Sequence, residues 1–94
     1  MGTWTVNEVI DGDTFVVSPG WTWGREVGDR VRPVGYDAPE IGEPGGWEAK
    51  RRLRELIDGK QVQLGSAYRV DRGRLVALVF LNGMDLAEFF SRFQ

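Results

Sequence analysis

Val9-Ile10-Asp11-Gly12-Asp13-Thr14-Phe15-Val16-Val17, residues 9–17, sets an Asp-Gly turn between two apolar β-branched runs. Asp-Gly flanked by such runs is a strong local hairpin signal. The first strand is expected over Thr3 to Ile10, with Trp4 and Val6 on one face. The second is expected over Thr14 to Val17, and Ser18 through Gly24 reads as a long, Trp-rich tip. A third run, Val27 to Tyr36, returns along it and ends at Tyr36-Asp37-Ala38-Pro39-Glu40. Folded as a symmetric hairpin centred near Gly24-Arg25, this segment sets Asp13 opposite Asp37, with Glu40 just beyond. Convergent carboxylates are what hard divalent cations require. Arg32 lies upstream of Asp37, and Asp71-Arg72-Gly73-Arg74 supplies further guanidinium groups. A carboxylate-held metal, a spare carboxylate and two arginines are the components needed to attack a phosphodiester. Strict alternation puts Arg32 and Asp37 on opposite faces, so a bulge is expected at Pro33 or Gly35. Asp11 reads mainly as a turn former.

Composition narrows the chemistry. The 94 residues make one small domain, 1–94, of which 41% are hydrophobic and 12% aromatic. A chain of this size buries roughly 60 to 65% of its surface, enough for one core. There is no cysteine and no histidine, so zinc and other borderline metals lose their usual ligands and a general base must be Glu or Asp. The net charge of −2 excludes nucleic-acid binding by bulk charge, so any such binding is local. Basic residues cluster in Lys50-Arg51-Arg52-Leu53-Arg54 and in Arg69 to Arg74. No apolar run approaches the ~20 residues of a membrane span. The N-terminal residues show neither the basic nor the apolar region of an export signal. A monomer without membrane association is expected, and no compartment is assigned.

Downstream, Pro39, Pro44, Gly42, Gly45 and Gly46 mark a loop. A helix is expected from Trp47 to Asp58, with Ala49, Leu53, Leu56 and Ile57 inward and Gly59 as its stop. Gln61 to Leu64 alternates as a fourth strand, and Arg74 to Leu81 is a fifth, apolar enough to be central. Asp85 with Glu88 makes a capping box, Met84 and Phe89 suit the staple positions, and Leu86, Phe89, Phe90 and Phe93 form a helical stripe. Three strands, a helix, two strands and a helix suit a mainly β fold with α: a five-stranded barrel of the oligonucleotide-binding (OB) type.

These motifs together resemble the staphylococcal nuclease family, the thermonucleases. Val9 to Thr14, Arg32 to Glu40, Gly46-Trp47-Glu48-Ala49 and Asp71 to Arg74 follow the family's motifs in order, and the resemblance runs from about Thr5 to Arg92. It implies that Asp13, Asp37 and the Ala38 carbonyl bind Ca²⁺. It implies that Glu40 activates or orients a water, and that Arg32 and Arg74 grip the scissile phosphate. Arg72 is assigned to substrate binding. The implied activity is calcium-dependent hydrolysis of single-stranded DNA or RNA with little sequence preference. The alternative is a non-catalytic module that binds nucleic acid or protein on the same barrel. Two departures stand out. The family usually has an aromatic residue before the Gly-Arg pair, and here Arg72 runs directly into Gly73, a shortening expected to displace Arg74. Family members also commonly continue beyond the point matching Gln94 into another loop and helix, and in the best-known member tyrosines of that loop help stack the base. Trp21 and Trp23 at the hairpin tip are candidate substitutes.

Overall fold

A computed structural model describes residues 2–93; Met1 and Gln94 lie outside the described residues. Strands β1 (Trp4–Asp11), β2 (Thr14–Trp23) and β3 (Glu26–Pro33) precede helix α1 (Gly46–Ile57). Strands β4 (Gln61–Asp71), β5 (Arg74–Leu81) and β6 (Met84–Asp85) follow, and a 3₁₀ segment spans Leu86–Phe93. The sheet order is β3-β2-β1-β4-β5-β6, and a parallel β3–β5 pairing joins its far strands. Five strands thereby close a mainly β, OB-like barrel, with β6 a two-residue extension on β5.

Closure needs strongly bent strands, and bulges supply the bend. Between Val16↔Arg30 and Trp21↔Gly28, Val17 to Gly20 of β2 stand against Asp29 alone. Pro19 cannot donate to a ladder there. β2 is therefore longer than the run Thr14 to Val17, because Val17 and Ser18 pair with β1 while Trp21 to Trp23 still pair with β3. The tip turn does fall at Gly24-Arg25, flanked by Trp23↔Glu26. β1 carries two irregularities of its own, which let Val6 and Val9 both point inward. β4 runs on to Asp71, well past Leu64, because two register shifts absorb its polar middle.

The core joins Val6, Phe15, Val17, Val31, Val62, Val79 and their neighbours to α1. Ala49, Leu53 and Ile57 of α1 are fully buried against the barrel. β5 is central, flanked by β3, β4 and β6, which accounts for its nearly unbroken apolar run. The expected C-terminal α-helix is a correction: residues 86–93 are 3₁₀ turns interrupted at Phe90, whose φ of −125° and ψ of 40° are non-helical. Asp85 does cap the segment, its Oδ1 accepting the Ala87 N–H at 2.9 Å. Met84 pairs with Leu81 in β6 and is half exposed, so it forms no buried staple.

Candidate active site

The β1–β2 turn is centred on Gly12-Asp13, with Asp11 paired to Thr14, one residue later than an Asp11-Gly12 turn. Asp11 Oδ1 accepts the Asp13 N–H at 3.1 Å, an Asx turn. The turn needs glycine at position 12, since a Cβ there would meet Ala49 Cβ at 2.5 Å and Ala38 Cβ at 2.8 Å. This close seat of α1 pushes Asp13 inward to 6% exposure. Asp13 Oδ2 accepts the Ala38 N–H at 3.3 Å, and Oδ1 accepts the Thr14 hydroxyl at 3.4 Å. Burial, followed by the adjacent Asp11 carboxylate, pushes the Asp13 carboxyl up to about 6, against the opposing pull of the Ala38 N–H and Arg32.

Asp37 does not face Asp13 across a ladder. The Phe15↔Val31 register carries Asp13 towards Pro33, where β3 ends without a bulge. The chain then turns through Gly35, whose φ is 110°, and comes back over the barrel end. Three contacts fix this return. The Asp37 N–H donates to Phe93 O at 3.1 Å, Tyr36 Oη donates to Gly12 O at 2.9 Å, and the Tyr36 ring stacks on Phe90 at 4.4 Å. Burial, then Asp13 and Asp11, raises the Tyr36 phenol far above its ordinary range, so it remains a donor. Arg32 bridges the two acids: Nη2 donates to Asp37 Oδ1 and lies 3.7 Å from Asp13 Oδ2. The loop therefore does what a bulge was expected to do, and unites Arg32, Asp13 and Asp37.

Arg74 is held by three hydrogen bonds. Nε donates to Asp71 O at 3.3 Å, Nη2 to Asp71 Oδ2 at 3.1 Å, and Nη1 to the Thr14 hydroxyl at 3.1 Å. The shortened Arg72-Gly73 sequence closes as a two-residue turn with φ of 54° and 77°, the positive pair of a type I′ hairpin. Asp71 and Arg74 face each other across it. Arg74 therefore lies beside the β1–β2 turn, tied to it through the Thr14 hydroxyl.

These groups open on one cleft of about 410 Å³. Asp13, Arg32, Asp37, Ala38, Glu40, Arg72 and Arg74 all line it, together with Glu43, Arg69 and Asp71. Sequence reasoning missed the last three as site residues. Asp71 holds Arg74. Glu43 Oε1 accepts the Glu40 N–H at 2.7 Å, setting the loop that carries Glu40. Arg69 follows the irregularity at Ala67/Arg69 and shares the Asp71 face of β4. Only its place in Arg69 to Arg74 could have signalled it. Trp21 and Trp23 are not in the cleft. Trp21 is core at 3% exposure, its indole N–H donating to Arg30 O at 2.8 Å, while Trp23 remains on the distant tip.

The donor set suits a hard, partly hydrated cation: two carboxylates, no nitrogen or sulfur, and an Asp13 whose charged form is penalised by burial, a cost that a cation would offset. Among the described residues no group of three or more acidic ligands gathers tightly enough to enclose a metal. Arg32 shares both carboxylates, so it competes with a cation for them. No protein-family model and no curated protein matches the chain.

Proposed function

We propose that this chain is a member of the staphylococcal nuclease family and a calcium-dependent hydrolase of single-stranded DNA or RNA. The supporting observation is the single cleft that gathers Asp13, Asp37, Ala38, Glu40, Arg32 and Arg74. Calcium held by Asp13, Asp37 and the Ala38 carbonyl would supply a Lewis acid for a phosphate oxygen. Glu40 accepts the proton of the attacking water. The water oxygen bonds to phosphorus, the scissile P–O bond breaks on the opposite side, and its electron pair leaves with the departing oxygen. Arg32 and Arg74 donate to the non-bridging oxygens as charge grows there. A guanidinium has five N–H donors, so the protein contacts of Arg74 fix its plane and leave donors for phosphate. Arg72, exposed at the turn beside Arg74, meets a flanking phosphate.

Release of acid-soluble nucleotides from denatured DNA, with calcium and with chelator, tests this reading. Arg32→Ala or Arg74→Ala should lower turnover by roughly 10² to 10⁴ while weakening oligonucleotide binding much less. Glu40→Gln should lower turnover and leave calcium affinity nearly unchanged. No calcium-dependent cleavage, with arginine variants that alter affinity alone, assigns the barrel to binding without catalysis.

A further inference from the structure

The cleft alone is poorly charged for attracting a polyanion. It carries five acidic groups and four arginines, and the whole chain has a net charge of −2. The missing cations lie on α1. Trp47, Lys50, Arg51 and Arg54 follow at helical spacing along one flank of the helix, beside the buried Ala49, Leu53 and Ile57, with Lys50 itself half-buried. Trp47 is 61% exposed, an unusual position for so large an apolar ring. Lys50 Nζ lies 5.3 Å from its ring centre. Among the described residues no acid lies within ion-pair distance of Lys50, Arg51 or Arg54. Glu48 and Glu55 flank one side of the stripe, and Glu48 is turned towards Arg92 at 3.8 Å.

The geometry points to this face of α1 as a second contact for single-stranded nucleic acid, an inference that rests on the proposed substrate class. Trp47 stacks one base, and Arg51 and Arg54 neutralise the phosphates beyond it. Position supports a continuous path. The loop bearing Glu40 and Glu43 leads straight into the helix, with the Gly46 N–H donating to Glu43 O at 3.0 Å. The rise from Trp47 to Arg54 is about 10 Å, which suits one or two nucleotides of extended strand. Stacking plus a cationic track is sequence-tolerant, in keeping with hydrolysis of little preference. An acidic protein partner would use the charges but gains nothing specific from an exposed indole at their head.

The test compares two probes in chelator, a dye-labelled thymidine strand of about twelve nucleotides and a trinucleotide long enough for the cleft alone. Trp47→Ala should weaken the long strand about 5- to 150-fold, and Trp47→Phe should restore most of that loss. Arg51→Gln with Arg54→Gln should reduce the slope of log affinity against log salt by about 1.4. Trinucleotide affinity, and its cleavage in calcium, should match the unaltered chain. If the unaltered chain cleaves and binds the long strand but these variants change neither affinity nor slope, the helix contact is overturned and the cleft assignment stands. If it binds neither probe, with chelator or with calcium, both fail. Loss of trinucleotide binding in the variants overturns the helix contact too, because the effect then belongs to the cleft.

Discussion

Asp13 carries the sharpest consequence of its surroundings. Its carboxyl sits at about 6 in the fold against 3.8 when free. Below pH ~4 it is protonated folded and unfolded, and has no effect on stability. Between pH ~4 and ~6 the folded chain binds the extra proton, so this group makes stability fall as pH rises; above ~6 the full cost remains. At 1.36 kcal/mol per unit that cost is about 2 to 3 kcal/mol. Asp13→Asn, which keeps the shape and an acceptor for the Ala38 N–H, should stabilise the metal-free protein at pH 7 by up to about 2 kcal/mol and gain almost nothing at pH ~4. Urea titrations at both values decide it, and an equal gain at each would refute the cause given. Gly46 is the opposite case, where shape and not charge is decisive. A Cβ there would sit 2.0 Å from Glu40 O, a backbone atom that cannot step aside cheaply. Gly46→Ala should cost about 1 to 3 kcal/mol and shift the Glu40 loop, lowering turnover far beyond the loss of folded protein. A variant with native turnover would show that Glu40 is not positioned by this contact.

The C-terminal segment shows where local pattern and tertiary contact part. Leu86, Phe89, Phe90 and Phe93 fit a helix by spacing, and Asp85 caps its start as read. Yet Phe90 leaves helical geometry to lie flat on Tyr36, with 6° between the rings, and Phe93 O receives the Asp37 N–H. Neither partner is near in sequence, so no periodicity could announce them. Because Phe90 is 1% exposed, Phe90→Ala should cost about 3 to 5 kcal/mol, a large share of the stability of so short a chain. A guanidinium titration showing a loss below about 1 kcal/mol would make the segment peripheral. Its effect should extend to the site, since the Tyr36–Phe90 stack anchors the return of Asp37. The same contrast explains the barrel's strands. The apolar run of β5 was legible because burial on both faces leaves a composition, whereas the reach of β4 to Asp71 was not, because bulges break the alternation that marks a strand.

Across the whole molecule, the cleft residues came together for reasons only partly written in sequence. Asp13, Arg32, Asp37, Glu40 and Arg74 were nameable from motifs, but the hairpin argument for uniting Asp13 with Asp37 used a register the bulged β2 does not keep. The loop that replaces it depends on Tyr36, Phe90 and Phe93, groups with no chemical role of their own. Binding at the cleft should therefore stabilise distant parts of the barrel, since α1, the β1–β2 turn and the C-terminal segment all meet at this site. Calcium alone is expected to bind weakly, because Arg32 already shares both carboxylates and the Asp37 side chain is 81% exposed. A nucleotide with a 5′-phosphate should tighten it by drawing Arg32 and Arg74 to the phosphate and releasing the acids to the cation. At concentrations about tenfold above the dissociation constants, a ligand that binds only the folded chain adds roughly 1.4 kcal/mol. For a domain of this size that raises Tm by about 6 to 11 °C. Calorimetry at such concentrations should show a shift of that size with calcium, another with nucleotide, and more than their sum with both. Asp37→Asn should abolish the excess while leaving the metal-free Tm nearly unchanged, since its exposed carboxylate forms only a weak surface pair. Strictly additive shifts, or an excess that survives Asp37→Asn, would remove calcium from this cleft.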